Sequence, residues 1–151
     1  MTVHSEELYQ QVILEHNRKP RNFKVLEPHT HAAEGYNPLC GDHLHVYLNV
    51  NAGGVIEEVS FTGDGCAISK ASASMMTASL KGKKISEARD LFENFQKLVK
   101  KEIDPEKDPH QLEKLTVFSG IWKYPSRVKC AILAWHTMNG ALDNAKVVST
   151  E

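Results

Sequence analysis

Apolar and polar side chains alternate along residues 42–50, where Leu44, Val46, Leu48 and Val50 are interleaved with His43, His45, Tyr47 and Asn49. A period of two predicts a half-buried strand with one apolar face. Asn51-Ala52-Gly53-Gly54 then supplies residues suited to a tight turn, and Val55, Val59 and Phe61 mark an antiparallel partner. A fainter third strand is expected just before them, around residues 32–36. On either side of this block the period is helical. Leu8, Tyr9, Val12, Ile13 and His16 form a stripe that Ser5 can cap and Pro20 ends. Residues 68–81 predict a helix rich in small side chains, able to lie close against the sheet and closed by Gly82. Ser86 is expected to cap the next helix, whose core stripe is Ala88, Leu91, Phe92, Phe95, Leu98 and Val99.

Residues 101–123 are broken at Asp104-Pro105 and Asp108-Pro109, leaving room for one short helix around residues 111–115. A last helix starts near Pro125-Ser126 and runs to about Ala145. The order of helix, antiparallel strands and then helices predicts an α+β fold: a small antiparallel sheet of about three strands with helices packed on one face, in a single domain covering residues 1–151.

Bulk properties narrow the functional classes. The apolar fraction of 41% and charged fraction of 25% are those of an ordinary globular chain. A net charge of −1 argues against nucleic acid or an anionic membrane as the main partner. The first residues lack the basic-then-apolar layout of a signal peptide, and residues 131–135 form the longest apolar run, far short of the ~20 residues of a membrane helix. The expected location is cytoplasmic.

The cysteines change the picture most. Cys40 lies in Asn37-Pro38-Leu39-Cys40-Gly41-Asp42, Cys66 follows Gly63-Asp64-Gly65, and Cys130 opens an apolar helical stretch behind Arg127 and Lys129. An odd count in a reducing compartment favours ligands or nucleophiles over disulfides. Cys40 and Asp42 are two apart at the entrance to a strand and so are expected on one face. The glycines before Cys66 permit unusual conformations, and Cys130 sits early in a helix beside two cations. Each context is expected to present a thiolate. Cys40, Asp42, Cys66 and Cys130 therefore make a candidate S3O donor set, acceptable to zinc or an iron–sulfur unit and unsuited to calcium or magnesium. Their spacing does not choose between zinc and iron–sulfur. Since the core stripes lie elsewhere, Asp42 should be dispensable for folding.

The remaining candidates are weaker. His43 and His45 should face away from Cys40 and Asp42 toward solvent, and His136 falls on a different side of its helix from Cys130. Met75 and Met76 read as core filler. Arg127, one turn before Cys130, either touches the site or is solvated, and the basic loop at residues 18–21 is a connection or a docking patch.

At these residues the chain resembles the U-type iron–sulfur assembly proteins, the IscU/NifU N-terminal superfamily, and within it most the SufU branch. The matching motifs are Asn37-Pro38-Leu39-Cys40-Gly41-Asp42, Gly63-Asp64-Gly65-Cys66-Ala67-Ile68-Ser69, Ala71-Ser72-Ala73-Ser74-Met75-Met76 and Arg127-Val128-Lys129-Cys130-Ala131, with Leu8-Tyr9 and Pro20-Arg21-Asn22 upstream. IscU scaffolds carry a histidine immediately before the last cysteine, where this chain has Lys129, an ammonium with no lone pair to give. The segment between Cys66 and Cys130 is also longer than in IscU, as in SufU.

The resemblance implies zinc held by Cys40, Asp42, Cys66 and Cys130, and a sulfurtransferase-like role as sulfur acceptor for a pyridoxal-phosphate cysteine desulfurase of the SufS kind. Cys40 would take the persulfide sulfur, to be handed to a SufBCD-like scaffold or an apo-protein. The alternative it implies is a scaffold on which a [2Fe–2S] cluster is assembled and transferred. A zinc-stabilised interaction module is the reading from another class.

Overall fold

The computed structural model describes residues 5–150. Its elements are α1 (Ser5–Arg18), β1 (His31–Asn37), β2 (Asp42–Val50), β3 (Ile56–Asp64), α2 (Ala67–Leu80), α3 (Ile85–Val99), a 3-10 segment (Glu113–Lys123), α4 (Pro125–Leu142) and β4 (Val147–Ser149). The expected cap by Ser5 falls on a side chain outside the described residues. Among the described residues, no helix is long and apolar enough to cross a membrane.

The sheet order is β3-β2-β1-β4. β2 pairs antiparallel with both β1 and β3, as its alternation predicts, and β4 joins β1 in parallel. The sheet is thus four-stranded and mixed, not three-stranded and antiparallel. Three residues of β4 are too few for an alternation to register in the sequence. The strand forms because the chain turns after α4 at Asn144, which has a φ of 64°, and lays Lys146 O against Glu34 N at 2.8 Å.

Leu44, Val46 and Leu48 are fully buried under the helices, while His43, His45 and Tyr47 look out from the opposite face. On β3 the buried apolar residues are Ile56, Val59 and Phe61, so the two-residue period breaks between the first two. A register shift explains it: Leu48 pairs with Val59, yet Val50 pairs with Ile56. The extra residue is a β-bulge, which returns Ile56 to the core.

Helix α4 packs on β1 and β2, and α2 is held between α1, α4 and β3. The small residues of α2 serve helix contact more than sheet contact. Ser72 Oγ donates to Ala131 O and accepts from Trp135 Nε1 at 3.2 Å. Trp135 stacks on Phe95 of α3 with centroids 4.7 Å apart, and Phe118 of the 3-10 segment meets Phe95 edge-on. Helix α3 starts one residue before Ser86, because the Glu87 carboxylate accepts the Lys84 N–H at 2.9 Å and completes the first turn. The irregular stretch before α4 carries a 3-10 segment longer than the short helix expected there, and α4 stops three residues before Ala145.

Candidate functional site

One end of the sheet gathers three chain segments. β1 and β2 form a hairpin whose register sets Asn37 opposite Asp42, with Pro38-Leu39-Cys40-Gly41 as its loop. Cys40 therefore stands at an exposed hairpin tip and not in a strand. The extended geometry expected for Cys40 and Asp42 does not hold, since Gly41 takes a φ of 74°, a left-handed conformation that favours glycine. The turn still aims both side chains inward. Cys40, Asp42 and Cys130 offer ligand atoms within 4.8 Å of one another.

Cys66 arrives from the other edge. β3 ends at Asp64, and Cys66 is the N-cap of α2, its Sγ accepting the Ser69 N–H at 3.4 Å. Gly65 serves close approach here: a Cβ on it would stand 3.0 Å from Asp42 Oδ1 and 3.1 Å from Ser69 Cβ. Cys130 lies in the second turn of α4, 3% exposed, with its Sγ 3.3 Å from that of Cys40. Cys66 Sγ stands outside the group of ligand atoms that lie within 4.8 Å of one another.

Asp42 is the hub. Its carboxylate is 2% exposed and accepts from Cys66 N–H at 2.8 Å, Ser69 Oγ–H at 2.7 Å and Asn37 Nδ2–H at 3.1 Å. Sequence reasoning did not single out Asn37 and Ser69. The signals were present: Asn37 is the hairpin partner of Asp42, and Ser69 sits three residues after an N-cap, where backbone N–H groups are free. Asp42 thus has structural work besides any ligand role.

Electrostatics sort the thiols. The Cys66 thiol is lowered to about 6, first by the hydrogen bond from Cys130 and also by the Ser69 N–H, against burial and the Asp42 charge. Cys130 goes the other way. Its thiol is pushed up by the bond it donates to Cys66, by burial, and by its bond to Cys40. The helix position and the neighbouring cations favour the thiolate locally, and the packed sulfurs oppose it.

The donor chemistry fits a soft divalent metal. Cys66 Sγ accepts an N–H from Ser69, and Cys130 Sγ accepts one from Asn37 Nδ2 at 3.5 Å. Such donors stabilise sulfur in its anionic form. With Asp42 supplying oxygen, the set matches tetrahedral zinc or an iron–sulfur unit.

The other candidates separate from this cluster. Arg127 is half-buried and lies over the Tyr124 ring, 4.3 Å from its centroid. His136 packs edge-on against Phe92, and Met75 and Met76 are buried in the core. His43 and His45 point to the far face of the sheet, where both reach Glu34.

Comparison with known proteins places this arrangement among relatives. Residues 8–142 match the NifU-like N terminal domain. The chain is 39% identical over 132 residues to the zinc-dependent sulfurtransferase SufU of Bacillus subtilis, covering 87% of this chain and 86% of that one. It is 38% identical over 135 residues to the iron–sulfur cluster assembly scaffold protein IscU of Thermotoga maritima, covering 89% and 92%. Among solved structures, FiSufU of Fervidobacterium islandicum superposes with a TM-score of 0.78 at 29% identity, covering 93% of this chain and 98% of that one.

Proposed function

For a chain that belongs to the NifU-like N-terminal domain family, we propose a role in iron–sulfur cluster assembly as a zinc-dependent acceptor of sulfur from a cysteine desulfurase. The observation that carries this reading is the position of Cys40: an exposed thiol on a hairpin tip, 3.3 Å from the buried Cys130 sulfur. Cys40, Asp42, Cys66 and Cys130 would hold the metal. Zinc, when bound, supplies a positive centre that keeps thiolates deprotonated at neutral pH.

The chain's own residues divide the remaining work. Cys40 is the acceptor: its thiolate attacks the terminal sulfur of the desulfurase persulfide. A new S–S bond forms on Cys40 as the old one breaks, and the desulfurase cysteine leaves as a thiolate, so electrons balance without an outside oxidant. Asp42 keeps Cys66 and Ser69 in place through the bonds described above. Arg127, held by Tyr124, is assigned to the surface that docks the desulfurase.

A second reading is supported by the relatives named as scaffolds, of which the Thermotoga protein is 38% identical. On that reading the same four residues receive a [2Fe–2S] cluster as cargo. Lys129 argues against it, since an ammonium lacks the lone pair that a histidine would contribute. Metal analysis with a visible spectrum of aerobically purified protein separates the two: colourless, stoichiometric zinc supports transfer, and iron with sulfide and a brown chromophore supports the scaffold.

The acceptor assignment has its own test. Cys40→Ser should abolish stimulation of the desulfurase while leaving complex formation measurable. With labelled cysteine, persulfide mapped by mass spectrometry should reside on Cys40. Label mainly on Cys66 or Cys130, or undiminished turnover in Cys40→Ser, would overturn it.

A further inference from the structure

On the opposite face of the sheet, Glu34 of β1 stands across from His45 of β2, and His43 follows two residues along on the same side. His43 Nε2 lies 3.3 Å from Glu34 Oε2, and His45 Nε2 lies 3.2 Å from Glu34 Oε1. We propose that Glu34, His43 and His45 form a second, separate metal site that takes a first-row divalent cation of the zinc class through two imidazole nitrogens and one carboxylate oxygen.

Geometry supports it. One ligand atom from each of the three residues lies within 4.8 Å of the other two. Ligand atoms about 2.0–2.2 Å from a zinc ion stand about 3.3–3.6 Å apart at tetrahedral corners. His43 Nε2 and His45 Nε2 each lie 3.2–3.3 Å from a different Glu34 oxygen, so both rings already face the carboxylate that would share the ion. Imidazole donors suit zinc, nickel or copper(II) and are poor partners for calcium or magnesium.

The ligands are also held in place. Tyr36 stacks on His43, with centroids 4.3 Å apart and planes 17° from parallel, while its hydroxyl donates to Glu34 Oε2 at 2.7 Å. Tyr47 lies nearly parallel to His45 at 6.3 Å. A residue that orients a metal-ligating carboxylate in this way is the usual outer partner of such a site. Half-exposed ligands and only three protein donors leave room for water, so the ion should exchange readily. The site is independent of the sulfur cluster, because β2 sends Asp42 toward the helices and His43 and His45 to the other face.

Equilibrium dialysis of untagged protein against zinc, read by elemental analysis, tests this. The wild type should bind one zinc more than the His43→Asn/His45→Asn and Glu34→Gln variants, whatever the sulfur site holds. Tyr36→Phe should keep the extra zinc but bind it about 10–100-fold more weakly. Cobalt(II) provides the control for folding: its thiolate charge-transfer band reports the sulfur cluster and should be unchanged in Glu34→Gln. A wild type that binds no more zinc than the variants, or an extra zinc retained with unchanged affinity in Glu34→Gln, would overturn the site. If the histidine double variant also loses the cobalt band, Glu34→Gln and Tyr36→Phe decide the matter by the same criteria.

Discussion

Replacing Asp42 by alanine removes the acceptor of three hydrogen bonds in a pocket where the carboxylate is 2% exposed. Hydrogen bonds to a charged group contribute about 1.5–3 kcal/mol each, which alone would sum to about 5–9 kcal/mol. Two of the three donors have a fallback. Ser69 Oγ also reaches Cys130 O at 3.2 Å, and Asn37 Nδ2 also reaches Cys130 Sγ at 3.5 Å. The alanine variant also escapes the desolvation cost of a buried carboxylate, itself several kcal/mol. The Cys66 N–H is the donor that loses its partner in a buried setting, at about 1–3 kcal/mol. Adding partial loss at Ser69 and Asn37 gives a net destabilisation of the metal-free protein of about 2–4 kcal/mol.

Urea unfolding of chelator-treated, reduced protein measures this as a lower midpoint at unchanged slope. Cys40→Ser is the internal contrast, since an exposed loop residue should leave stability within about 0.5 kcal/mol. Asp42→Asn should fall between the two, because it keeps an acceptor for Cys66 N–H but presents a donor to Asn37 Nδ2. Equal stability of Asp42→Ala and the wild type, within the same ~0.5 kcal/mol, would refute the hub assignment and return Asp42 to being a ligand only.

Ser72→Ala should cost about 1–3 kcal/mol despite its small size, because it leaves the buried Trp135 Nε1–H without its acceptor; thermal unfolding checks it, and a neutral effect would mean that another acceptor is available. Stability should also fall on mild acidification. His16, facing Ser74 Oγ at 2.7 Å, has its pKa lowered from 6.5, first by burial and then by Arg21 and Lys114, against the Glu15 charge. The unfolded chain therefore takes up the proton first, so this contribution is complete above pH 6.5 and is lost as pH drops below it toward the folded-state value. His16→Gln should reduce the slope of that part of the urea-midpoint profile of metal-free protein, leaving the share of His136, which burial also lowers, and an unchanged profile would assign the effect elsewhere. Chelation should lower the melting temperature while leaving the helical circular dichroism of the folded protein intact, because the stacked Phe95 and Trp135 core lies apart from the sulfur cluster.

What could be read from the sequence follows from how local each signal was. The alternation of Leu44, Val46 and Leu48 needs no partner to be visible, and it placed the central strand and both faces correctly. β4 owes its existence to the chain reversal at Asn144 and to pairing with β1, which no three-residue pattern can announce. At the site, the meeting of Cys40, Asp42 and Cys130 was legible from residue type and context, but the opposing pull of packed sulfurs on Cys130 was not. A helix position and two nearby cations argue for a thiolate locally, while the neighbouring sulfurs, contributed by distant segments, push the thiol up. The far face shows the same limit. His43 and His45 were correctly set away from Cys40, yet their meeting with Glu34 depends on the β1–β2 register, which only the paired hairpin reveals.

The three sulfurs differ in what it would cost to move them, and that difference supports the proposed role of Cys40. Displacing Cys66 would uncap α2 and break the bond from its N–H to Asp42. Displacing Cys130 would require α4 to shift, and that helix carries Trp135 into the core against Phe95. Cys40 is tied by less: its Sγ meets Cys130 Sγ at 3.3 Å and its N–H reaches Asn37 O at 3.3 Å, while its neighbour Leu39 is exposed and Gly41 provides a left-handed pivot. A hairpin tip of this kind can swing a thiol outward while Cys66, Cys130 and Asp42 stay fixed. An acceptor must leave its resting partners to reach a sulfur on another protein, and in this fold Cys40 can do so without dismantling a helix.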